Sequence, residues 1–153
     1  SPPTQSIINM LVTFPQSSGV KLASNCIEVF DQMKMRKQHG LVFYKMNEKS
    51  TEIVVEKTFP TDVPFSTFLE ELPTDQCRYV LVDFAYTDNS LLKKKNLVFV
   101  SWCPSKASTR NKMIHAASRD AIRKALVGIK AEVQGCGLSE VQEDNITEKL
   151  LRL

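Results

Sequence analysis

The chain reads as an α/β (α+β) sandwich in which helices pack around a central mixed sheet. Three observations predict it. Arg78–Tyr86 (RYVLVDFAY) and Leu97–Cys103 (LVFVSWC) are apolar, β-branched and aromatic runs of strand length. Between about Lys106 and Gly128, Ile114, Ala117, Ala121, Ile122, Ala125 and Leu126 recur at three- and four-residue steps, which marks one face of a long helix. Ahead of both, Leu41–Met46 and Thr51–Phe59 flank a polar turn and predict a hairpin. The 153 residues are 42% hydrophobic, with 20 Lys+Arg against 17 Asp+Glu for a net charge of +3. That suits one domain able to bury a core without a metal or disulfide staple. Low net charge with this hydrophobicity excludes intrinsic disorder, and 5 Gly with 7 Pro exclude a collagenous chain.

The elements follow in order. Residues 1–16 carry no charge and three of the seven prolines, so they read as an uncharged, flexible N-terminal extension, with an extra strand over Ile7–Phe14 as the alternative. The domain is placed at residues 17–153. Ser24 or Asn25 caps a helix to about Arg36, with Ile27, Phe30 and Met33 or Lys34 at helical spacing. Gly40 ends that segment before the hairpin. Phe65–Leu72, entered through Pro64 and closed by Pro73, is a short helix. The two strong strands follow, joined by a loop carrying Lys93, Lys94 and Lys95. After the long helix, Ile129–Gln134 forms a short strand. Ser139 then caps a last helix to about Leu151, with Ile146, Leu150 and Leu153 inward and Glu148, Lys149 and Arg152 outward.

Catalytic chemistry finds little support. Only two histidines occur, and no nucleophile elbow, zinc-protease, P-loop or dinucleotide motif is present. Cys26, Cys77, Cys103 and Cys136 form no C-x-x-C pair, so neither zinc nor a dithiol redox motif is expected, and all four read as free thiols in a reducing cytosol. No catalytic residue, metal or cofactor is assigned. Asp83 sits inside an apolar strand, where a buried structural hydrogen bond accounts for it better than a general base. No run reaches the roughly 18 apolar residues of a membrane span.

The informative stretch is Ser105–Arg119 (SKASTRNKMIHAASR), which holds Lys106, Arg110, Lys112 and Arg119 and no acid. Arg110 and Lys112 fall in the first turns of the long helix, where cations oppose the helix dipole at about 0.3–1 kcal/mol each. Such a cost fits an acidic partner, although a solvated basic face is the plainer reading. Met113 adds an adaptable apolar side chain beside Lys112. Lys93–Lys95 and the final helix are two further charged clusters.

In five stretches the chain resembles the actin-depolymerising factor/cofilin family: Ser18-Gly19-Val20, Thr51–Lys57 (TEIVVEK), Cys77–Phe84 (CRYVLVDF), Val98–Pro104 (VFVSWCP) and Arg110–Ala125 (RNKMIHAASRDAIRKA). The resemblance covers about residues 17–153. It implies the actin-depolymerising-factor homology fold, a mixed, mainly antiparallel sheet flanked by helices. It implies a monomeric, non-enzymatic protein of the cytoplasm and cytoskeleton, with entry to the nucleus allowed. Such a protein binds monomeric and filamentous actin, prefers ADP-actin, and promotes severing and depolymerisation. The resemblance assigns Ser18, Gly19, Val20, Arg110, Lys112 and Met113 to a surface used with monomers and filaments. Lys94, Lys95, Glu148, Lys149 and Arg152 fall to a filament-specific surface. Asn96 departs from the family, which often has a base there. Ser18 matches the family's phosphorylation site, though 17 residues precede it here. The same basic surface suits phosphoinositide headgroups.

Two other classes compete. A coactosin-like protein would bind filaments without severing them; the Arg110-x-Lys112-Met113 pattern argues for monomer binding as well. A nucleic-acid module would interleave exposed aromatics with its bases, whereas Tyr79, Tyr86, Phe99 and Trp102 lie in apolar strands. Neither a nucleic-acid partner nor a transmembrane segment is therefore expected.

Overall fold

A computed structural model describes residues 20–153. Ser18, Gly19, the 1–16 extension and its alternative strand at 7–14 lie outside the described residues. The order is β1 (Lys21–Leu22), α1 (Ser24–Lys34), β2 (Leu41–Met46), β3 (Glu52–Phe59), α2 (Phe65–Glu71), β4 (Arg78–Thr87), β5 (Lys93–Trp102), α3 (Thr109–Ala125), β6 (Ala131–Gly135) and α4 (Glu143–Leu151). The sheet runs β1-β3-β2-β4-β5-β6. Its three inner pairings are antiparallel, while β1 with β3 and β5 with β6 are parallel. The expected mixed, mainly antiparallel sheet is what forms.

Both faces of the sheet are covered, which explains why β4 reads as a continuous apolar run rather than an alternating one. Val80, Val82 and Phe84 pack with Val98, Val100, Trp102, Phe68, Ile146 and Leu150, so α2 and α4 lie on that face. Tyr79 and Leu81 pack with Phe99, Cys26, Phe30, Met33, Ile122 and Leu126, so α1 and α3 lie on the other. Period-two alternation in the strands thus feeds two separate cores.

Several local expectations shift. Neither Ser24 nor Asn25 caps α1: Ala23 holds that position without a side-chain cap, and the buried stripe is Cys26, Phe30 and Met33, leaving Ile27 36% exposed. Cys26 is inward because its Sγ donates to the Ile53 carbonyl (3.2 Å) and its carbonyl accepts from the Tyr44 hydroxyl (3.1 Å). Lys93, Lys94 and Lys95 are not loop residues. They open β5, paired with Thr87, Tyr86 and Ala85. The β4–β5 ladder therefore continues past the apolar core into solvent, and the connection is only 88–92.

The long helix is shorter than its periodicity suggests, and rotated. Ser108 caps α3 by accepting the Asn111 N–H (3.1 Å). Its buried face is His115, Ser118 and Ile122, with Leu126 just beyond, while Ala117 faces out. Two polar residues occupy inward positions, and an apolarity count cannot register them. The helix stops at Ala125; Gly128 follows at φ +103°, and Lys34 Nζ donates to the Val127 carbonyl (2.8 Å), a cation at a helix C-terminus.

Ser139 lies in a 3₁₀ turn (Leu138–Val141) held by Glu140, whose carboxylate accepts the Cys136 and Gly137 N–H groups. The last helix starts three residues later than expected, at Glu143, with Glu143 and Asp144 at its positive end. Leu153 is 68% exposed rather than inward.

Candidate functional site

The first cluster is built by the cap of α3. Ser108 fixes the helix start, and the first turn contains no acid. Arg110 is exposed, and Met113 stands 67% exposed a turn later, so a cation and an adaptable apolar side chain project from one helix end. Lys112 is half-buried and folds back, donating to the Ser105 carbonyl (2.8 Å), and so braces the loop into α3. Val20 is 2% exposed and belongs to the core with Phe30 and Ile53. It anchors the segment leading into β1 and offers no side chain at the surface.

The rest of the basic stretch has structural work. Arg119 and Arg123, four apart on α3, both bind the Glu132 carboxylate on β6. Beneath the helix, His115 stacks on Tyr79 (ring centroids 4.2 Å apart) and its Nε2 lies 2.8 Å from the Ser101 hydroxyl. The Tyr79 hydroxyl donates to the His115 carbonyl. Burial, helped by the nearby Arg119 cation, holds His115 down to about 4, so the ring is neutral at pH 7.

The second cluster sits at the opposite end of β5. From Lys94 to Trp102 the strand spans about 27 Å. Asp88 organises this end: its Oδ1 accepts the Ser90 and Leu92 N–H groups (2.8 and 2.9 Å), and its Oδ2 lies 3.1 Å from Lys94 Nζ. Backbone bonding from Leu92, then Lys94, holds the Asp88 carboxyl below its ordinary value. Lys95 Nζ is 3.8 Å from Asp83 Oδ2, which is buried and accepts no hydrogen bond. The expected structural hydrogen bond at that oxygen of Asp83 is thus replaced by an ion pair, and the pair sets the direction of Lys95. Asn96 is occupied as well, its Oδ1 accepting the Tyr86 hydroxyl (2.6 Å).

Lys95 and Glu143 line a common groove of about 260 Å³ with Asp83, Phe65 and Phe84, so the start of α4 abuts the start of β5. Further along α4, Glu148 pairs with Arg152 at i,i+4, and Lys149 is exposed beside them. Asp88 and Glu132 were missed at the sequence level. Asp88 carried a local signal, an acid two residues before a serine in a turn. Glu132 carried none, because its partners lie on another element.

Among the described residues no group of three or more His, Cys, Asp or Glu is placed to hold a metal, and no helix is long and apolar enough to cross a membrane. The fold defines a protein of the actin-depolymerising-factor homology class, with charged clusters towards the two ends of one strand. A family model described as cofilin/tropomyosin-type actin-binding protein matches residues 19–151, and the chain belongs to that family. It is 43% identical over 136 residues to a cofilin of Mycosarcoma maydis, covering 89% of this chain and 97% of that one. It is 39% identical over 137 residues to cofilin-1A of Dictyostelium discoideum, covering 90% and 99%. A crystal structure of a Streptomyces griseoflavus cofilin superposes with a TM-score of 0.81 at 39% identity, covering 88% of this chain and 98% of that one. Membership implies binding to actin and depolymerisation of its filaments.

Proposed function

We propose that the 17–153 domain binds actin monomers and filaments, prefers ADP-actin, and severs and depolymerises filaments as a monomer. The observation that carries this is the start of α3, where Arg110 and the 67% exposed Met113 project from a helix turn without acids. Met113 enters an apolar cleft while Arg110 and Lys112 meet an acidic rim; the family resemblance adds Ser18 and Gly19 to this contact. On filaments Lys94, Lys95, Glu148, Lys149 and Arg152 make a second contact. Clusters at opposite ends of a strand of this length suit two neighbouring subunits better than one.

The mechanism is differential binding. A protein with higher affinity for ADP-actin in a twisted filament shifts subunits towards that state. Stress then collects where bare and decorated stretches meet, and the filament breaks there. Phosphorylation of Ser18 adds about −1.5 to −2 charges beside an acidic surface and opposes binding. Phosphoinositide headgroups compete for the same cations. The setting is the cytoplasmic actin cytoskeleton, with entry to the nucleus allowed.

The test is titration of labelled ADP- and ATP-actin monomers together with imaging of single filaments. Tighter binding to the ADP form and new breaks along filaments are expected. Equal affinities, or decoration without breaks, would overturn nucleotide preference or severing respectively.

A further inference from the structure

Cys77 stands one residue before β4 and Cys103 one residue after β5. The ladder between these strands runs to Arg78↔Trp102, so its next step sets the two cysteines opposite each other. The Cys103 N–H is donated to the Gly135 carbonyl beside it (2.9 Å) and so points away from β4. The pair therefore occupies a non-hydrogen-bonded position, where opposing Cα atoms approach to about 4.5 Å. Disulfides span Cα separations of roughly 4.4–6.8 Å. The thiols are already in contact, with Cys77 Sγ 3.3 Å from Cys103 Sγ. A groove of about 270 Å³, lined by Met46, Gln76, Cys77, Asn111 and His115, opens beside Cys77 and admits a small reagent. The remaining cysteines lack this arrangement: Cys26 is buried and hydrogen-bonded to Ile53, and Cys136 is exposed.

We propose that Cys77 and Cys103 are an oxidation site, closed into a reversible intramolecular disulfide by exchange with a small-molecule disulfide. One protein thiolate attacks a sulfur of the reagent, which forms a mixed disulfide and releases one small thiol. The second protein thiolate attacks the protein sulfur of that intermediate, which forms the Cys77–Cys103 bond and releases the second small thiol. The protein gives up two protons and two electrons, and the reagent is reduced to two thiols.

The reaction is slow at neutral pH. Burial, then the contact with Cys103, pushes the Cys77 thiol up to about 12. Exchange therefore accelerates as pH rises, since the thiolate is the nucleophile. The bond reaches towards α3. Cys77 Sγ lies 3.9 Å from the Asn111 carbonyl in its first turn, and Cys103 joins α3 through residues 104–108.

The purified full chain is incubated with oxidised glutathione in mildly alkaline buffer, alkylated without reduction and mapped by peptide mass spectrometry. A Cys77–Cys103 linked peptide, lighter by two hydrogens and split by a dithiol reductant, is expected. In Cys77→Ser and Cys103→Ser variants, which keep the local shape, the link is absent and the remaining cysteine keeps a glutathione adduct. Alkylated, unlinked Cys77 and Cys103 under exposure that fully modifies Cys136 would overturn the proposal. So would a bridge that recruits Cys136.

Discussion

Acidification from pH 7 to pH 5 is expected to destabilise the fold by about 2 kcal/mol through His115 alone. The ring is 6% exposed, stacked on Tyr79 and bonded to Ser101, with Arg119 the neighbouring cation on the same helix. Burial and Arg119 lower its pKa from 6.5 to about 4. The folded state therefore resists a proton that the unfolded chain accepts. Stability from this group is intact above about 6.5, falls as pH drops from there to about 4, and is level below. At pH 5 an unfolded-state histidine is about 97% protonated and the folded one about 9%, a difference of about 2 kcal/mol, against about 0.2 kcal/mol at pH 7. Urea denaturation at both pH values, on the natural chain and on His115→Gln, isolates the effect, since every other group is common to both. The natural chain is expected to lose about 2 kcal/mol more than the variant. Equal losses would show that His115 protonates without cost and would refute the reasoning.

Other consequences are as concrete. Glu132→Ala leaves Arg119 and Arg123 without their shared carboxylate, while Arg119 Nε already lacks a hydrogen-bond partner; a loss of about 1–3 kcal/mol is expected in chemical denaturation. Met113→Ala removes an exposed side chain whose burial against a partner is worth about 1–2 kcal/mol, so monomer affinity should fall roughly tenfold with no change in melting temperature. Burial opposes ionisation of Glu56, but the paired bonds from Arg78 Nε and Nη2 (2.9 and 3.2 Å) outweigh it and lower the carboxyl pKa. That contribution is present above the ordinary carboxylate range and is lost as pH falls through the lowered value. A Glu56→Gln variant should therefore show a flatter loss of stability in the most acidic range.

The sheet was legible because strands covered on both faces announce themselves as unbroken apolar runs. The ends of elements were not. Lys93–Lys95 look like a loop because charge predicts exposure, and exposure is correct; pairing with Thr87, Tyr86 and Ala85 is a separate property that charge does not reveal. The rotation of α3 was hidden for the opposite reason. His115 and Ser118 are polar yet inward, since Ser101 and the Ile114 carbonyl satisfy them, so periodicity in apolar residues found Ile122 and Leu126 but set the centre of the buried stripe to one side. The charged clusters were visible as charge excess. The division of labour within them was not: Arg119 and Arg123 belong to Glu132, Lys95 to Asp83 and Lys94 to Asp88, which leaves Arg110 and Met113 as the projecting groups at the start of α3. Those partners lie on other strands or across a turn, out of reach of a local reading.

The most direct measurement compares two double variants on both forms of actin, using monomer titration and filament co-sedimentation in parallel. Arg110→Ala with Lys112→Ala is expected to weaken both. Lys94→Ala with Lys95→Ala is expected to leave monomer affinity near that of the natural chain and to weaken co-sedimentation alone. Near-normal monomer affinity in the first variant, or equal losses on both forms in the second, would contradict a two-surface mode of binding.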